Sequence, residues 1–315
     1  MHVMKVNQQP LHQARQTILI LVALLAISAV AHGANMMHWP YFENDEGTYM
    51  SQAHAVMTTG RLAHYTYWYD HAPVGWIQIG MWGKLVEPFV GQDAAFSIES
   101  GRIFMLVLHL FSTALVYAIA RKVTRSQYPA IIAVLIFALS PVALTYQRRV
   151  LLDNIQLFWN LIALYLILGE RRTLLQVSAS AVAFSIAFMS KETGIFFTPA
   201  MLGIVWMNTT RHNRWFATVL WLGICFLIAT CITRSRFGRL LNAIRDDEDR
   251  SRDLFLAVER DDARLTRRVG RNDRRRRRRS CRDRRCGMGR HRDGRRRGQG
   301  LRGHGQGEGE EGAED

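Results

Sequence analysis

Tyr41-Phe-Glu-Asn-Asp-Glu-Gly-Thr-Tyr49 lies ten residues after a long apolar run and contains two adjacent carboxylates, Asp45 and Glu46. The apolar run, Thr17–Ala31, follows basic residues and fits either a cleaved signal peptide or a first transmembrane helix. The further apolar segments of the chain favour the retained helix. Basic residues ahead of a membrane helix hold its amino terminus in the cytoplasm, so both carboxylates are expected on the extracytoplasmic side.

The chain divides into two parts of unlike composition. Residues 1–233 consist mostly of apolar runs, whereas residues 234–315 contain 26 Arg, no Lys and 16 Asp or Glu. The second part therefore contributes +10 of the net charge of +15. Several runs of the first part approach the length of about 20 residues that crosses a bilayer. The predicted fold class is an all-α polytopic membrane protein.

Apolar length and flanking charge predict seven transmembrane helices. Three clusters of basic residues lie in alternate connections between the predicted spans. By the positive-inside rule, all three predict a cytoplasmic amino terminus. These clusters are Arg121 with Lys122 and Arg125, Arg171 with Arg172, and Arg211 with Arg214. The predicted spans are Thr17–Ala31, Ile103–Ala120, Ala130–Tyr146, Asn154–Leu168, Leu174–Met189, Gly194–Met207 and Trp215–Ile232.

The longest predicted extracytoplasmic loop, residues 33–101, is rich in Trp, Tyr and His. Aromatic rings with a polar edge settle at the headgroup level of a bilayer. We therefore expect two short helices, Glu46–Thr59 and Val74–Val86, to lie on the membrane surface.

A group of charged residues lies at predicted span ends on the extracytoplasmic side, where the positive-inside rule does not favour basic residues. Ionisable groups close to a membrane are often functional, so the two turns that carry them are candidate sites. The group comprises Arg148, Arg149, Asp153, Lys191 and Glu192.

Four short motifs, in order along the chain, resemble glycosyltransferase family 39. They are Asn44-Asp-Glu-Gly-Thr-Tyr49, Tyr69-Asp-His-Ala-Pro-Val-Gly-Trp76, Arg149 with Asp153, and Ser190-Lys-Glu-Thr193. The family includes dolichyl-phosphate-mannose protein mannosyltransferases and the lipid A aminoarabinose transferase, and the resemblance covers about residues 15–233. It implies the GT-C membrane fold, with a catalytic module of about seven spans. The chain departs from the family where His71-Ala-Pro73 replaces the common His-Pro-Pro.

The resemblance implies transfer of a sugar from a polyprenyl-phosphate carrier to a protein or lipid acceptor, with inversion at the anomeric carbon. Such a reaction needs one carboxylate as base and cationic groups that stabilise the leaving phosphate. Asp45 matches the catalytic acidic residue of the family. Glu46, the next residue, is the second catalytic candidate. Successive helical residues point about 100° apart, so the two carboxylates are not expected to share one task.

The substrate-binding residues implied by the resemblance surround the expected lipid phosphate. Arg149 can bind phosphate through two donors and Lys191 as a point charge. His71 is a third candidate donor, and Asp70 or Asp153 is expected to orient these cations or the acceptor.

Simpler interpretations stay open for each of these residues. The carboxylates can be the acidic first turn of a surface helix, and Arg149 can reach lipid headgroups as an anchor. Lys191 with Glu192 can be a solvated ion pair of little energetic weight. A transport or permease component is the alternative function, but a transporter places ionisable residues near mid-bilayer rather than in loops.

Residues 234–315 form an Arg/Gly-rich tail that is predicted to be disordered or the product of a gene fusion or frameshift. Residues 234–252 resemble a cytoplasmic loop of branched-chain amino-acid ABC permeases. The alternative is an arm that binds RNA or anionic lipid, although seven spans would place the tail outside, and nucleic acid is not an expected partner. Because family members continue into further spans, this chain is expected to hold the catalytic module and to be inactive if it is truncated.

No metal site is predicted from the four cysteines, which lack the paired spacing of a zinc site. No cofactor follows from the residues, and a requirement for a divalent cation is left open. The expected location is the plasma membrane of a bacterium or archaeon, with the lipid bilayer and a polyprenyl-phosphate-linked sugar as partners.

Overall fold

Helices account for the regular structure in the part of the chain described by the computed structural model, residues 9–60 and 71–235, with side chains described from residue 14. In chain order the helices are α1 (Gln9–Gly33), α2 (Asn44–Thr59), α3 (Val74–Val90), α4 (Gln92–Ala95), α5 (Ile98–Thr124), α6 (Gln127–Leu139), α7 (Pro141–Tyr146), α8 (Leu152–Ile167), α9 (Leu174–Ser190), α10 (Thr198–Asn208) and α11 (Arg214–Arg234). A 3₁₀ helix, Glu192–Phe197, joins α9 to α10. The all-α class predicted from the sequence is confirmed.

Three helices are long and apolar enough to cross a bilayer by themselves. They are the Ala14–Gly33 part of α1, then α5 and α11. The other predicted spans fall on shorter helices, α6, α8, α9 and α10, of 13, 16, 17 and 11 residues. Each of these is below the roughly 20 residues of an ideal span.

Two predicted spans are interrupted in the structure. The predicted helix Ala130–Tyr146 is divided into α6 and α7 at Ser140, because Pro141 cannot continue the hydrogen-bond ladder and holds the preceding residue extended. Ser140 instead caps α7, since its hydroxyl accepts from the Ala143 amide at 3.1 Å. The predicted span Gly194–Met207 likewise begins in the 3₁₀ helix, so only α10 is regular α-helix.

The first loop carries the two predicted helices, which form as α2 and α3. A left-handed residue, Gly60 with φ of 68°, ends α2. Both helices pack on the amino-terminal end of α5 and on the segment before α8. Their shared core consists of Tyr49, Met50, Trp76, Ile79, Met105, Val150, Leu152 and Ile155.

Two further apolar clusters hold the bundle together. One joins α8, α9, α10 and α11 around Phe184 and Trp221, and the other joins α1, α5 and α6 around Leu24 and Tyr117. The loop helices and the bundle thus meet where α8 begins, and the candidate site residues lie at this junction. The expectation for the tail falls on residues 236–315, outside the described residues.

Candidate active site

Asp45 lies in the first turn of α2 with its side chain exposed. In the described part of the chain, no hydrogen bond or ion pair involves its carboxylate. Asp45 is therefore an accessible anionic group that is free to accept a proton from a bound hydroxyl.

Glu46, the next residue, has the opposite environment. Its side chain is 0% exposed and binds the guanidinium of Arg102 through both oxygens, at 2.9 and 2.8 Å. The same carboxylate accepts from the amides of Val150 at 3.0 Å and Glu43 at 3.1 Å. Both oxygens of this catalytic candidate are thus occupied by buried contacts, and a catalytic role for Glu46 stays a prediction. It joins α2 to α5 and to the segment before α8.

Arg102 is a residue that the sequence analysis did not single out, because the predicted span began one residue later. Its guanidinium donates to the carbonyl oxygens of Met36 at 2.6 Å and Pro40 at 3.0 Å, besides Glu46. The ring of Phe42 lies 4.6 Å from the guanidinium carbon. Arg102 thus ties the connection between α1 and α2 to α5. An arginine at the outer end of a predicted span was the available signal, the same one that marked Arg149.

Arg149 forms an ion pair with Glu43, two residues ahead of Asp45. Its side chain is 18% exposed, and its Nε is a buried donor that has no partner among the residues the structure describes. The neighbouring Arg148 points elsewhere, to the carbonyl oxygens of Ala31 and Trp39. Arg148 therefore binds the carboxyl end of α1, whereas Arg149 faces the start of α2.

Lys191 and Asp153 form a second ion pair, with 2.6 Å between Nζ and Oδ2. The lysine side chain is 19% exposed and the aspartate side chain 51% exposed. Asp153 belongs to the first turn of α8, and Lys191 follows the last residue of α9. The pair therefore brings together the two turns that the sequence analysis identified separately.

His71 lies against Glu192, with 2.8 Å between Nδ1 and Oε1. Burial by itself would raise the pKa of Glu192, but the hydrogen bond from His71 and the positive charges of His71 and Lys191 hold it below its usual value. The His71 ring also lies 5.9 Å from the ring of Tyr49 on α2. Asp70, another predicted substrate-binding residue, lies outside the described residues.

These contacts connect the candidate residues around one rim. Asp45 and Tyr49 are four residues apart on α2 and so share a helix face. Tyr49 contacts His71, whose partner Glu192 adjoins Lys191 in the chain. On the other side, the Arg149–Glu43 pair joins the start of α2 to the segment before α8. We call the three ion pairs Arg149–Glu43, Lys191–Asp153 and His71–Glu192 the rim pairs.

A groove of about 670 Å³ opens beside this rim between α6, α7, α8 and the 3₁₀ helix. Asp153 lines its rim end, together with Thr193. Most of the other lining side chains are apolar, and several of these are strongly exposed, such as Ile136, Val142 and Phe196 at 67, 67 and 81%. Five polar side chains also line it: Ser140, Gln147, Asn154, Gln156 and Asn160. The groove therefore has a charged end and a mostly apolar, outward-facing body.

In the ranges 9–60 and 71–235, no three His, Cys, Asp or Glu side chains come together as a metal-binding group. Each rim carboxylate other than Asp45 already faces a cationic or imidazole partner. The rim is therefore arranged as alternating charges rather than as a cluster of metal ligands.

Comparison with known proteins points to the same family as the sequence motifs. Residues 93–235 match the family model described as dolichyl-phosphate-mannose-protein mannosyltransferase. The chain resembles this family. Arg149, Asp153 and Lys191 lie within the matched segment, and Asp45, Glu46 and His71 precede it. The resemblance to glycosyltransferase family 39 that the motifs indicated is confirmed.

A solved structure of the Saccharomyces cerevisiae protein O-mannosyltransferase Pmt1-Pmt2 complex, bound to the sugar donor, has a similar fold. The TM-score is 0.55 at 19% sequence identity, over 70% of this chain and 34% of that chain. Thus this chain spans about a third of the length of the structure it matches. No curated protein sequence matches the chain. The apolar helices and this polytopic fold show an integral membrane protein.

Proposed function

We propose that this chain is the catalytic module of an inverting glycosyltransferase, which transfers a sugar from a polyprenyl-phosphate carrier to an extracytoplasmic protein or lipid acceptor. The observation that carries the proposal is the position of Asp45. It is an exposed carboxylate at the start of α2 with no partner among the described residues, on the rim that also holds Arg149 and Lys191. The match to a mannosyltransferase family model supports mannose as the sugar.

The groove beside the rim suits a lipid-linked donor. Its apolar body would take the isoprenoid chain, and its charged end would place the phosphate near Lys191 and Arg149. Both cations are now paired with half-exposed carboxylates. Exposed ion pairs contribute only about 0–1 kcal/mol, so exchanging a carboxylate for a phosphate oxygen costs little.

The reaction then needs one proton transfer and one displacement. Asp45 accepts the proton of the acceptor hydroxyl while that oxygen attacks the anomeric carbon. The bond from the anomeric carbon to the phosphate oxygen breaks, and its electron pair leaves with the carrier phosphate. Arg149 and Lys191 stabilise the negative charge that develops there. Attack from the face opposite the phosphate inverts the configuration.

Replacement of the base tests the proposal. In membranes that contain the full chain, Asp45→Asn should lower transfer from dolichyl-phosphate mannose by about 10²-fold or more, because general-base catalysis supplies 10²–10⁴-fold. The matched control is Asp93→Asn, since Asp93 is another exposed carboxylate in the first turn of a loop helix, α4. Radiolabelled mannose incorporation measures the rate. Equal rates for Asp45→Asn and the unmodified chain would reject the base assignment.

A further inference from the structure

A chain of polar side chains crosses the interior of the bundle below the rim. His109 on α5 is 3% exposed, and its Nε2 lies 2.7 Å from the hydroxyl of Ser28 on α1. On its other side, Nδ1 of His109 makes a hydrogen bond with Oε1 of Gln147. Gln147 is the first residue of the segment that leads through Arg149 to α8.

The Gln147 amide, placed with its oxygen toward the ring, assigns the roles of the two ring nitrogens. The amide oxygen of Gln147 can only accept, so Nδ1 of His109 carries the proton. In the neutral ring Nε2 then accepts, and the Ser28 hydroxyl donates to it. Thr113 donates its own hydroxyl proton to the backbone carbonyl of His109 at 2.8 Å. Both ring nitrogens are therefore satisfied, as a buried imidazole requires.

The segment after Gln147 has little regular structure of its own to hold it, because it lies between the short helix α7 and α8. Its fixed points are side-chain contacts. Asn154 donates to the carbonyl oxygen of Arg149 at 3.0 Å, and Arg148 binds the end of α1. Gln147 supplies the inward contact through His109. These contacts together direct the guanidinium of Arg149 toward the start of α2.

We propose that His109 is a positioning residue for donor binding, acting through Gln147 to hold Arg149 where the carrier phosphate binds. This inference rests on the proposed function, in which Arg149 binds that phosphate. His109 itself lies inside the bundle and contacts no substrate. Its contribution is to keep the guanidinium in place before the donor arrives, which lowers the entropy lost on binding.

The chain offers a matched control in His32 on α1. His32 is 1% exposed and stacks on His109 with 3.6 Å between ring centroids, so the two buried rings lie side by side in one environment. Its hydrogen bond, however, goes from Nε2 to the carbonyl oxygen of Ala138 on α6, at 2.8 Å. Loss of His32 thus disturbs the bundle without releasing the segment that carries Arg149.

Two substitutions separate the two ends of the His109 ring. The amide nitrogen of an Asn side chain occupies nearly the position of Nδ1, so His109→Asn keeps a donor for Gln147. The longer Gln side chain reaches the position of Nε2, so His109→Gln keeps a partner for Ser28 and loses the bond to Gln147. Because both variants are polar and similar in size, a general loss of packing would affect them alike.

The experiment measures binding of dolichyl phosphate to the full chain in nanodiscs, together with the KM for dolichyl-phosphate mannose. His109→Gln should weaken dolichyl phosphate binding about tenfold, comparable to one lost hydrogen bond. His109→Asn and His32→Gln should stay within about twofold, as mutations that leave a contact intact do. The KM of the acceptor should not change with any of them. Equal effects of His109→Asn and His109→Gln would overturn the inference.

A double-mutant cycle with Arg149→Gln distinguishes this inference from the proposed function. If Arg149 binds the phosphate, Arg149→Gln alone should weaken dolichyl phosphate binding, and an unchanged affinity would reject that part of the proposed function. If His109 acts through Arg149, adding His109→Gln to Arg149→Gln should cause no further loss. Additive losses in the double variant would mean that His109 acts on the fold as a whole, which overturns the inference.

Discussion

Glu46 and the rim carboxylates are acidic groups at the same end of the bundle, yet they are held in opposite ways. Glu46 is fully buried, and its oxygens accept from Arg102 and two backbone amides. The carboxylates of the three rim pairs are 45, 51 and 49% exposed, and each has a single ion-pair partner. The difference separates a pair that holds the fold from pairs that can exchange partners with a substrate.

The largest expected effect breaks the buried pair. Glu46→Gln leaves the Arg102 guanidinium buried without a counter-charge, and removal of one partner from such a pair costs about 3–5 kcal/mol. Thermal unfolding in detergent should show a large loss of stability or a failure to fold. Glu43→Gln is the control, since it breaks a half-exposed rim pair and should cost at most about 1 kcal/mol. Similar unfolding temperatures for the two variants would contradict the distinction.

The next effect concerns the Lys191–Asp153 pair. Lys191→Met removes a cation that the proposed donor phosphate needs, so the KM for dolichyl-phosphate mannose should rise about tenfold, as for other charge-assisted hydrogen bonds. Asp153→Asn removes the present partner and leaves the cation, so it should raise this KM much less. Both variants should unfold within about 1 kcal/mol of the unmodified chain. If Asp153→Asn raised this KM more than Lys191→Met does, donor binding would depend on the intact ion pair rather than on the lysine alone.

The smallest effect is the pH dependence of the His71–Glu192 pair. The pKa of Glu192 is lowered in the folded chain, so the unfolded chain binds its proton more readily. The resulting stabilisation is present above the ordinary pKa of 4.5 and is lost as the pH falls through the lower folded value. Below about pH 5 the imidazole of His71 is charged, so the difference in unfolding temperature between the unmodified chain and Glu192→Gln should then follow Glu192 and shrink as the pH falls below about 4.5. A difference that grows as the pH falls from 5 to 3 would contradict the direction of the shift.

Much of the helical architecture follows from local properties of the sequence. Apolar length, turn residues and basic clusters predicted the helices of the bundle and both loop helices, because these signals lie within a few residues of each other. The break at Ser140-Pro141 was also readable, but the length of the apolar run Ala130–Tyr146 outweighed it in the prediction. Short helices such as α10 fall below the span length because part of the run forms a 3₁₀ helix.

The pairing of charges could not be read in the same way. Glu46 and Arg102 are 56 residues apart, and no local pattern shows that they meet. The sequence marked Arg149, Asp153, Lys191 and Glu192 as charges at unexpected places but did not show which carboxylate each cation would face. Glu43, the partner of Arg149, was missed because a glutamate in a loop carries no distinguishing signal. Tertiary packing decides these contacts, so they required the structure.

The groove beside α8 has a kinetic consequence. Because its body is apolar and opens outward through exposed side chains such as Ile136 and Phe196, a lipid-linked donor would enter sideways from the bilayer rather than from water. Its saturation then depends on the mole fraction of donor among the surrounding lipids. At a fixed total amount of donor, adding inert lipid should slow transfer, because it lowers the mole fraction of donor in the bilayer. Adding buffer leaves this mole fraction unchanged and should not alter the rate.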